Sequence, residues 1–216
     1  ILSPKLDDLQ CAFTSLKALC DADNTSQINL AVILDNEEVG SRTKQGANST
    51  FLFDVLTRIS SCSEKNAEDY RVALANSFLV SADNAHALHP NYPEKSDNTN
   101  VNYINKGPVI KFNANQSYST DAISASMFKL ICDRANVPYQ VFHNRSDMPS
   151  GGTLGNISTS KVSINSVDIG IPQFAMHSAV ETAGSKDTAY TYEAFKEFYK
   201  TAFYIEENLI KMKVGE

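Results

Sequence analysis

The sequence lacks the features that mark several common classes of protein. No apolar run comes near the roughly 18 residues that a membrane-spanning helix requires. No basic block interrupts a chain that carries 25 acidic and 19 basic residues. This mild acidic balance argues against nucleic acid or an anionic membrane as the main partner. Apolar and charged residues make up 42% and 20% of the 216 residues, which indicates a folded globular chain with one sizeable core.

Cysteine is scarce, and no two cysteines are spaced as C-x-x-C. Cys11, Cys20, Cys62 and Cys132 each stand in an apolar or helical context. This pattern favours buried free thiols in a reducing compartment over disulfides, and we therefore predict a cytoplasmic protein.

Three common functional motifs are missing as well. The chain has no P-loop, no G-x-G-x-x-G and no G-x-S-x-G nucleophile elbow. The glycine-rich run at 150–155 lacks the Lys-Ser/Thr pair of a phosphate-binding loop, so it is interpreted as a backbone turn beside a site. No cysteine stands with a histidine at the polar end of a predicted strand. Nucleophilic catalysis is therefore disfavoured.

Short apolar runs alternate with helical patterns along the chain. Strands are predicted at 30–34, 77–82, 108–112, 139–143 and 167–171. Helices are predicted at 6–20, 41–61, 67–76, 120–135 and 190–213, the first with Leu9, Phe13, Leu16 and Cys20 on one face and Asp7 or Asp8 as N-cap. This alternation predicts an α/β fold of three layers, α/β/α, with a mostly parallel, mixed central sheet.

Acidic residues follow the first predicted strand directly, at Asp35, Glu37 and Glu38. In an open α/β sheet, ligands bind just outside the carboxyl ends of the strands. Two adjacent glutamates beside a buried strand repel each other and lose hydration, and a bound cation would compensate them. A solvated acidic turn is the alternative interpretation.

Other polar residues also fall at the ends of predicted elements. They are Asp7, Asp83 with His86 and His89, and His177. A mixture of carboxylates and imidazoles is a usual ligand set for zinc. Two zinc ions that share a bridging carboxylate can activate a water, and a nearby unligated carboxylate can then act as general base. Alternatively, His177 is a core histidine, and His86 and His89 are loop residues.

Six motifs come in one order along the chain. They are Leu6-Asp7-Asp8-Leu9, Asp35 to Ser41, Ser81 to Tyr92, Gly107 to Lys111, Ser150 to Gly155, and Ala175-Met176-His177-Ser178. Together they resemble the aspartyl aminopeptidase family of dinuclear zinc exopeptidases, and the resemblance covers essentially the whole chain. It implies a metallo-aminopeptidase that removes an N-terminal residue, Asp or Glu, from peptides.

The resemblance also implies a role for each residue of the metal centre. Asp7 corresponds to the carboxylate that bridges two Zn²⁺ ions, and Glu37 to the general base. Glu38 and His177 correspond to terminal ligands of one zinc, and Asp83 to a ligand of the other. Carboxylate-rich dinuclear sites also accept Mn²⁺ or Co²⁺.

Three further residues match positions that contact substrate in the family: His86, Lys111 and Tyr118. A cationic Lys111 suits an acidic side chain on the first residue of the substrate, because charge-assisted hydrogen bonds are strong. A relative on the same scaffold that prefers neutral first residues is the nearest alternative.

The resemblance implies two features that this sequence does not contain. One is a further zinc-ligand histidine well upstream of Leu6-Asp7-Asp8-Leu9, and the other is an inserted dimerisation domain. Residues 1–216 are therefore expected to be the C-terminal part of a catalytic domain, with little activity alone. A homo-oligomer, a dodecamer in the family, is expected. The other hypotheses are a non-catalytic fragment that serves assembly or peptide binding, and a small-molecule-binding α/β domain.

Overall fold

A computed structural model describes residues 1–23, 27–148, 151–206 and 209–214 of the chain. The helices are α1 (Leu6–Asp21), α2 (Phe51–Cys62), α3 (Ala67–Ala75), α4 (Ala122–Arg134), α5 (Leu154–Lys161) and α6 (Ser185–Lys200). The strands are β1 (Leu2–Ser3), β2 (Phe78–Ala82), β3 (Ala85–His86), β4 (Val109–Phe112), β5 (Gln140–His143), β6 (Asn165–Gly170), β7 (Pro172–Phe174), β8 (Glu181–Ala183), β9 (Thr201–Glu206) and β10 (Leu209–Val214).

The central sheet has four strands in the order β2-β6-β4-β5. Strand β2 is parallel to β6 and β4 is parallel to β5, whereas β4 and β6 are antiparallel. The predicted mixed sheet is therefore confirmed. A second sheet, in the order β1-β8-β7-β3, lies where α1 begins. In it, β1 pairs with β8, which joins Leu2 to Thr182 and Ser3 to Glu181.

Strand β6 shows how helices cover both faces of the central sheet. Val167 and Ile169 are fully buried among residues of α4 and α6, including Phe128 and Phe195. Successive side chains of a strand point to opposite faces, so Asp168 points away from this core. There it meets the start of α5. The three-layer α/β/α arrangement predicted from the alternation of elements follows from this placement.

Helix α4 lies within two residues of its predicted range, for which the sequence offers Thr120 or Asp121 as N-cap. Asp121 accepts a hydrogen bond from the Ser124 backbone N–H (2.7 Å), and the Ser124 hydroxyl accepts one from the Asp121 N–H (3.0 Å). This reciprocal capping box satisfies backbone donors that the helix itself leaves free. Helix α4 consequently begins one residue after the predicted cap and ends at Arg134.

The predicted buried strand at 30–34 is wrong. These residues are in no strand, and Ile33 among them is 58% exposed, while the preceding Ile28 is 66% exposed. An isolated extended segment leaves its backbone groups without ladder partners, and no strand among the described residues pairs with it. The apolar run can be recognised in the sequence, but the described residues supply no partner strand for it.

Two predicted helices have wrong boundaries. Helix α2 begins at Phe51, because the segment from 41 to 50 forms turns. The long helix predicted at 190–213 ends at Lys200, and an antiparallel hairpin of β9 and β10 follows. The segment after Lys200 is rich in β-branched and aromatic residues, which favour strands.

Helix α1 is amphipathic as predicted, but its apolar side is exposed. Leu9, Phe13 and Leu16 are 63%, 61% and 49% exposed. The opposite side, with Cys11 and Ala18, packs against α6 and the core. Large apolar side chains exposed in one row are typical of interaction surfaces.

All four cysteines are free. Cys11 and Cys132 are buried as predicted, whereas Cys20 and Cys62 are exposed on the ends of α1 and α2. Helical spacing placed Cys20 on a helix but did not determine which side of that helix faces the core, and Cys62 lies one residue beyond the helix predicted at 41–61. Within the part of the chain that the structure describes, no helix has the length and apolar character needed to cross a membrane.

Candidate metal centre

Three residues distant in sequence meet at the start of α1. The imidazole Nε2 of His177 lies 3.1 Å from Asp7 Oδ2 and 2.9 Å from Glu38 Oε1. The Asp7 side chain is only 3% exposed, whereas those of His177 and Glu38 are 59% and 55% exposed. One atom from each residue lies within 4.8 Å of the others. The arrangement is open on the side of His177 and Glu38.

A second acidic group shares Asp7. Oxygen atoms of Asp7, Asp8 and Asp83 also lie within 4.8 Å of one another. Asp83 reaches this position because it follows β2 directly. The regular helix of α1 begins only after Asp8, because both Asp7 and Asp8 have non-helical backbone angles. Asp7 is thus the residue common to both groups.

Sequence reasoning missed Glu181, which fixes two members of the cluster. Its carboxylate accepts hydrogen bonds from the backbone N–H of His177 (2.7 Å) and from that of Asp7 (3.0 Å). The side chain is 2% exposed, so these bonds are protected from water. His177 has a φ of +67°, a left-handed conformation that costs energy for a non-glycine residue. The signal in the sequence was an acid four residues after His177.

The carboxylates of the cluster raise one another's pKa. Burial, and next the charge of Asp83, raise the pKa of Asp7 to about 9. The same two causes, in the same order, raise the pKa of Asp8. Like charges in a place poor in water favour the protonated form of a carboxyl group. A bound cation would reverse this effect and restore the charged carboxylates.

Glu37 faces the same cluster from the short helix Glu37–Val39. Burial, followed by the charges of Asp83 and Glu38, raises its pKa. Its neighbour Glu38 is the more exposed of the two and approaches His177. The adjacent glutamates therefore occupy different environments, as their predicted separate roles require.

Lys111 and Tyr118 extend the site on the side of Asp83. The buried ammonium group of Lys111 donates to the Asn84 carbonyl (2.8 Å) and to Asp83 Oδ2 (3.3 Å). Burial alone would lower the pKa of Lys111, but the charges of Asp83, Tyr118 and Asp168 raise it, so the group is charged. The ring of Tyr118 lies 5.6 Å from Lys111 Nζ. The two residues are thus in contact, as joint binding of a substrate requires.

His86 lies beside the cluster, at the end of β3. Loss of hydration, and then the charges of Lys111 and His177, lower its pKa, so its imidazole is neutral at pH 7. It lines a cleft together with His89, His143 and Arg145. The charge of Lys111 thus acts on His86, so these two predicted substrate residues influence each other electrostatically.

The donors fit a divalent cation. Carboxylate and imidazole atoms converge from α1, the 37–39 turn and the 175–178 loop, and the buried Asp7 Oδ1 has no hydrogen-bond partner among the described residues. A buried acceptor without a donor is costly and calls for a compensating group. Zn²⁺ takes this mixture of ligands.

The raised pKa of Asp7 predicts that the stability of the protein depends on pH when its metal has been removed by chelation. A carboxyl group whose pKa rises from 3.8 to about 9 on folding binds more protons in the folded state. Its contribution to the free energy of unfolding is complete below about pH 4 and is lost as pH rises toward 9. The Tm should fall from pH 5 to pH 9 by at least about 2–4 °C, the equivalent of about 1 kcal/mol.

Circular dichroism melts in the presence of a chelator test this expectation, and Asp7→Asn is the matched variant. The Asn variant should show a flatter dependence of Tm on pH, because its amide does not titrate. An equal slope in both proteins would show that Asp7 does not cause it.

Residues 1–199 match the family described as "Aminopeptidase I zinc metalloprotease (M18)". The chain belongs to the M18 family. The resemblance to aspartyl aminopeptidases is confirmed, because a "Probable aspartyl aminopeptidase" of Ricinus communis is 43% identical over 97% of the chain.

Other M18 proteins are similar over the same range. A "Probable M18 family aminopeptidase 2" of Clostridium novyi (strain NT) is 48% identical over 92% of the chain. The "Structure of S. cerevesiae mApe1 dodecamer" superimposes with a TM-score of 0.80 and 30% identity, over 92% of this chain and 45% of that one. The chain spans 46% of the Clostridium relative and 44% of the Ricinus one, about half of each.

Proposed function

We propose that this chain carries the metal centre of an aminopeptidase that removes an acidic N-terminal residue, Asp or Glu, from peptides. The observation that carries the proposal is the convergence of Asp7, Glu38 and His177, with Asp83 joined through Asp7. The M18 family is described as a zinc metalloprotease, and the Ricinus relative as a probable aspartyl aminopeptidase. Both descriptions agree with the donor set.

The proposed ligands divide between two Zn²⁺ ions. Asp7 is shared, Glu38 and His177 complete one site, and Asp83 belongs to the other. When bound, the ions supply Lewis acidity toward the peptide carbonyl and a water that ionises near neutral pH. Glu181 keeps Asp7 and His177 in place through their backbone N–H groups.

Glu37 serves as the general base in this proposal. Its carboxylate takes the proton of the attacking water and delivers it to the amine that leaves. A raised pKa makes the carboxylate a better proton acceptor. Tyr118, whose pKa burial raises, keeps its hydroxyl proton and donates a hydrogen bond to the substrate.

His86 and Lys111 are proposed to bind the first residue of the peptide. A neutral His86 accepts a hydrogen bond from the substrate's ammonium group, and a charged Lys111 attracts an acidic side chain. Because Lys111 already holds Asp83, its substitution has two separable consequences. Loss of the contact with Asp83 should slow the hydrolysis of all substrates. Loss of the positive charge should slow the hydrolysis of acidic substrates alone.

Lys111→Met is the variant that separates these consequences. We expect kcat/KM to fall about ten-fold or more further for an Asp-terminated peptide than for a Leu-terminated one, since a hydrogen bond to a charged group contributes about 1.5–3 kcal/mol. Steady-state kinetics on the two peptides measures the difference. Equal losses would show that Lys111 only positions Asp83.

We also propose that residues 1–216 are the C-terminal part of the catalytic domain. The support is that relatives are about twice as long, and that Leu9, Phe13 and Leu16 expose an apolar row on α1. A segment that covers this row would also supply the pairing that residues 30–34 lack. By similarity to mApe1, the assembled protein is proposed to be a homo-oligomer.

Elemental analysis of the full-length protein, followed by kinetics on Asp- and Glu-terminated peptides, tests the proposal. Near two zinc ions per chain, together with release of the acidic residue, is the expected result. A full-length protein without bound metal would instead favour the non-catalytic hypothesis, in which the ligand pattern serves structure or peptide binding only.

A further inference from the structure

One buried carboxylate has no part in the proposed reaction. Asp168 lies in the middle of β6 and is 0% exposed. It points away from the apolar core, toward the start of α5. A fully buried carboxylate is costly unless donors surround it, so its contacts identify what it holds.

Asp168 joins two segments that are far apart in sequence. Its Oδ2 accepts hydrogen bonds from the Ser119 backbone N–H (2.5 Å) and from the Ser119 hydroxyl (2.7 Å). Its Oδ1 accepts one from the Thr153 hydroxyl (2.5 Å). The backbone N–H of Asp168 also donates to the Thr120 hydroxyl (2.8 Å). Each carboxylate oxygen thus ties a different segment to β6.

The packing around this carboxylate leaves no spare room. A Cβ added to Gly155 would lie 2.3 Å from both oxygens of Asp168. That distance is shorter than any real contact, so the first turn of α5 can approach only because residue 155 is glycine. The Thr153 hydrogen bond and the close approach of Gly155 therefore fix both the orientation of the 151–155 turn and its distance from β6.

The two segments reach the substrate side of the proposed site. Ser119 follows Tyr118, whose ring lies 5.6 Å from Lys111 Nζ. Thr153 follows Gly152, and a Cβ added there would lie 3.7 Å from the Ser117 carbonyl oxygen. Asp168 therefore stands behind the place where the Tyr118 segment and the glycine turn meet.

We propose that Asp168 is a positioning residue, which holds the Tyr118 segment and the 151–155 turn together to form one wall of the substrate site. This inference rests on the proposed peptidase function for its catalytic consequence, and on geometry alone for the positioning. It predicts that loosening the Asp168 bonds weakens substrate binding without removing metal, because no proposed metal ligand bonds to Asp168 among the described residues.

Thr153→Val in the full-length protein is the decisive variant, since it removes one hydroxyl at nearly constant volume. We expect KM for an Asp-terminated peptide to rise about ten-fold, with zinc content unchanged and kcat less affected. Hydrogen–deuterium exchange of the peptides that cover 117–120 and 151–156 should become faster. Thr153→Ser, which keeps the hydroxyl, should leave both KM and the exchange rates close to those of the unmodified protein.

The outcomes separate this inference from the proposed function. A lower Tm with unchanged KM and unchanged exchange in both segments would make the Asp168 contacts merely structural and overturn the inference. Absence of hydrolysis in the unmodified full-length protein would overturn the proposed function instead. In that case the exchange measurement still decides the positioning. Asp168→Asn, whose amide nitrogen cannot accept a hydrogen bond, should also make exchange faster in at least one of the two segments.

Discussion

Replacing Glu37 by glutamine is expected to lower peptide hydrolysis by about 10²–10⁴-fold, the contribution that a positioned general base makes. Glutamine matches the size of glutamate but cannot take a proton. The half-buried carboxyl group of Glu37 is made more basic by burial and by the charges of Asp83 and Glu38. Its loss therefore removes the proton acceptor from the proposed reaction and little else.

The measurement pairs single-turnover kinetics with elemental analysis of the full-length protein. Zinc content should stay at the unmodified level in Glu37→Gln, because Glu37 is not a proposed ligand. Glu38→Gln is the matched control one residue away. Its Oε1 lies 2.9 Å from His177 Nε2, so this variant should bind zinc more weakly. If Glu37→Gln loses zinc and Glu38→Gln keeps it, the two assigned roles are reversed.

Asp7→Asn is expected to have the largest effect on metal binding. Asp7 is the residue shared by both groups of converging donors, so its loss weakens both proposed ions. Changes to groups that only support ligands cost about 10–100-fold in metal affinity, and removal of a shared ligand should exceed that range. Hydrolysis should fall with the metal, and added zinc should restore it only in part.

Asp8→Asn gives a sharp comparison with Asp7→Asn. The two aspartates are adjacent, and burial raises the pKa of both. Asp8, however, belongs to only one of the two groups of converging donors and is not a proposed ligand. Zinc content should therefore survive in Asp8→Asn. Equal zinc losses in the two variants would make Asp8 a ligand and contradict the proposed division of roles.

Local patterns were sufficient for elements whose partners lie within the described chain. Helix α4 begins beside its predicted cap, and strands β4 and β5 match their predictions within a residue. Apolar residues of α4 and β4, such as Phe128 and Ile110, are buried in one core cluster. The strand predicted at 30–34 failed because a strand requires a neighbour, and periodicity cannot supply one.

The candidate site shows the same division. Acidic residues and histidines at element ends, read with the six ordered motifs, indicated Asp7, Glu37, Glu38, Asp83 and His177. The structure brings four of them together around Asp7 and His177, and charge places Glu37 beside them. Their roles remain predictions. Glu181 and Asp168 were missed, because each acts through bonds to backbone groups or hydroxyls that no spacing in the sequence reveals.

The sequence by itself determined the family and the α/β class and indicated the candidate residues of the metal centre, since these depend on residue type and order. Only the tertiary structure decided which side of α1 is buried, where the last helix ends, and which buried carboxylates hold the site in place. The reason is that burial and hydrogen bonding join residues far apart in the chain. Glu181 meets Asp7 across 174 positions.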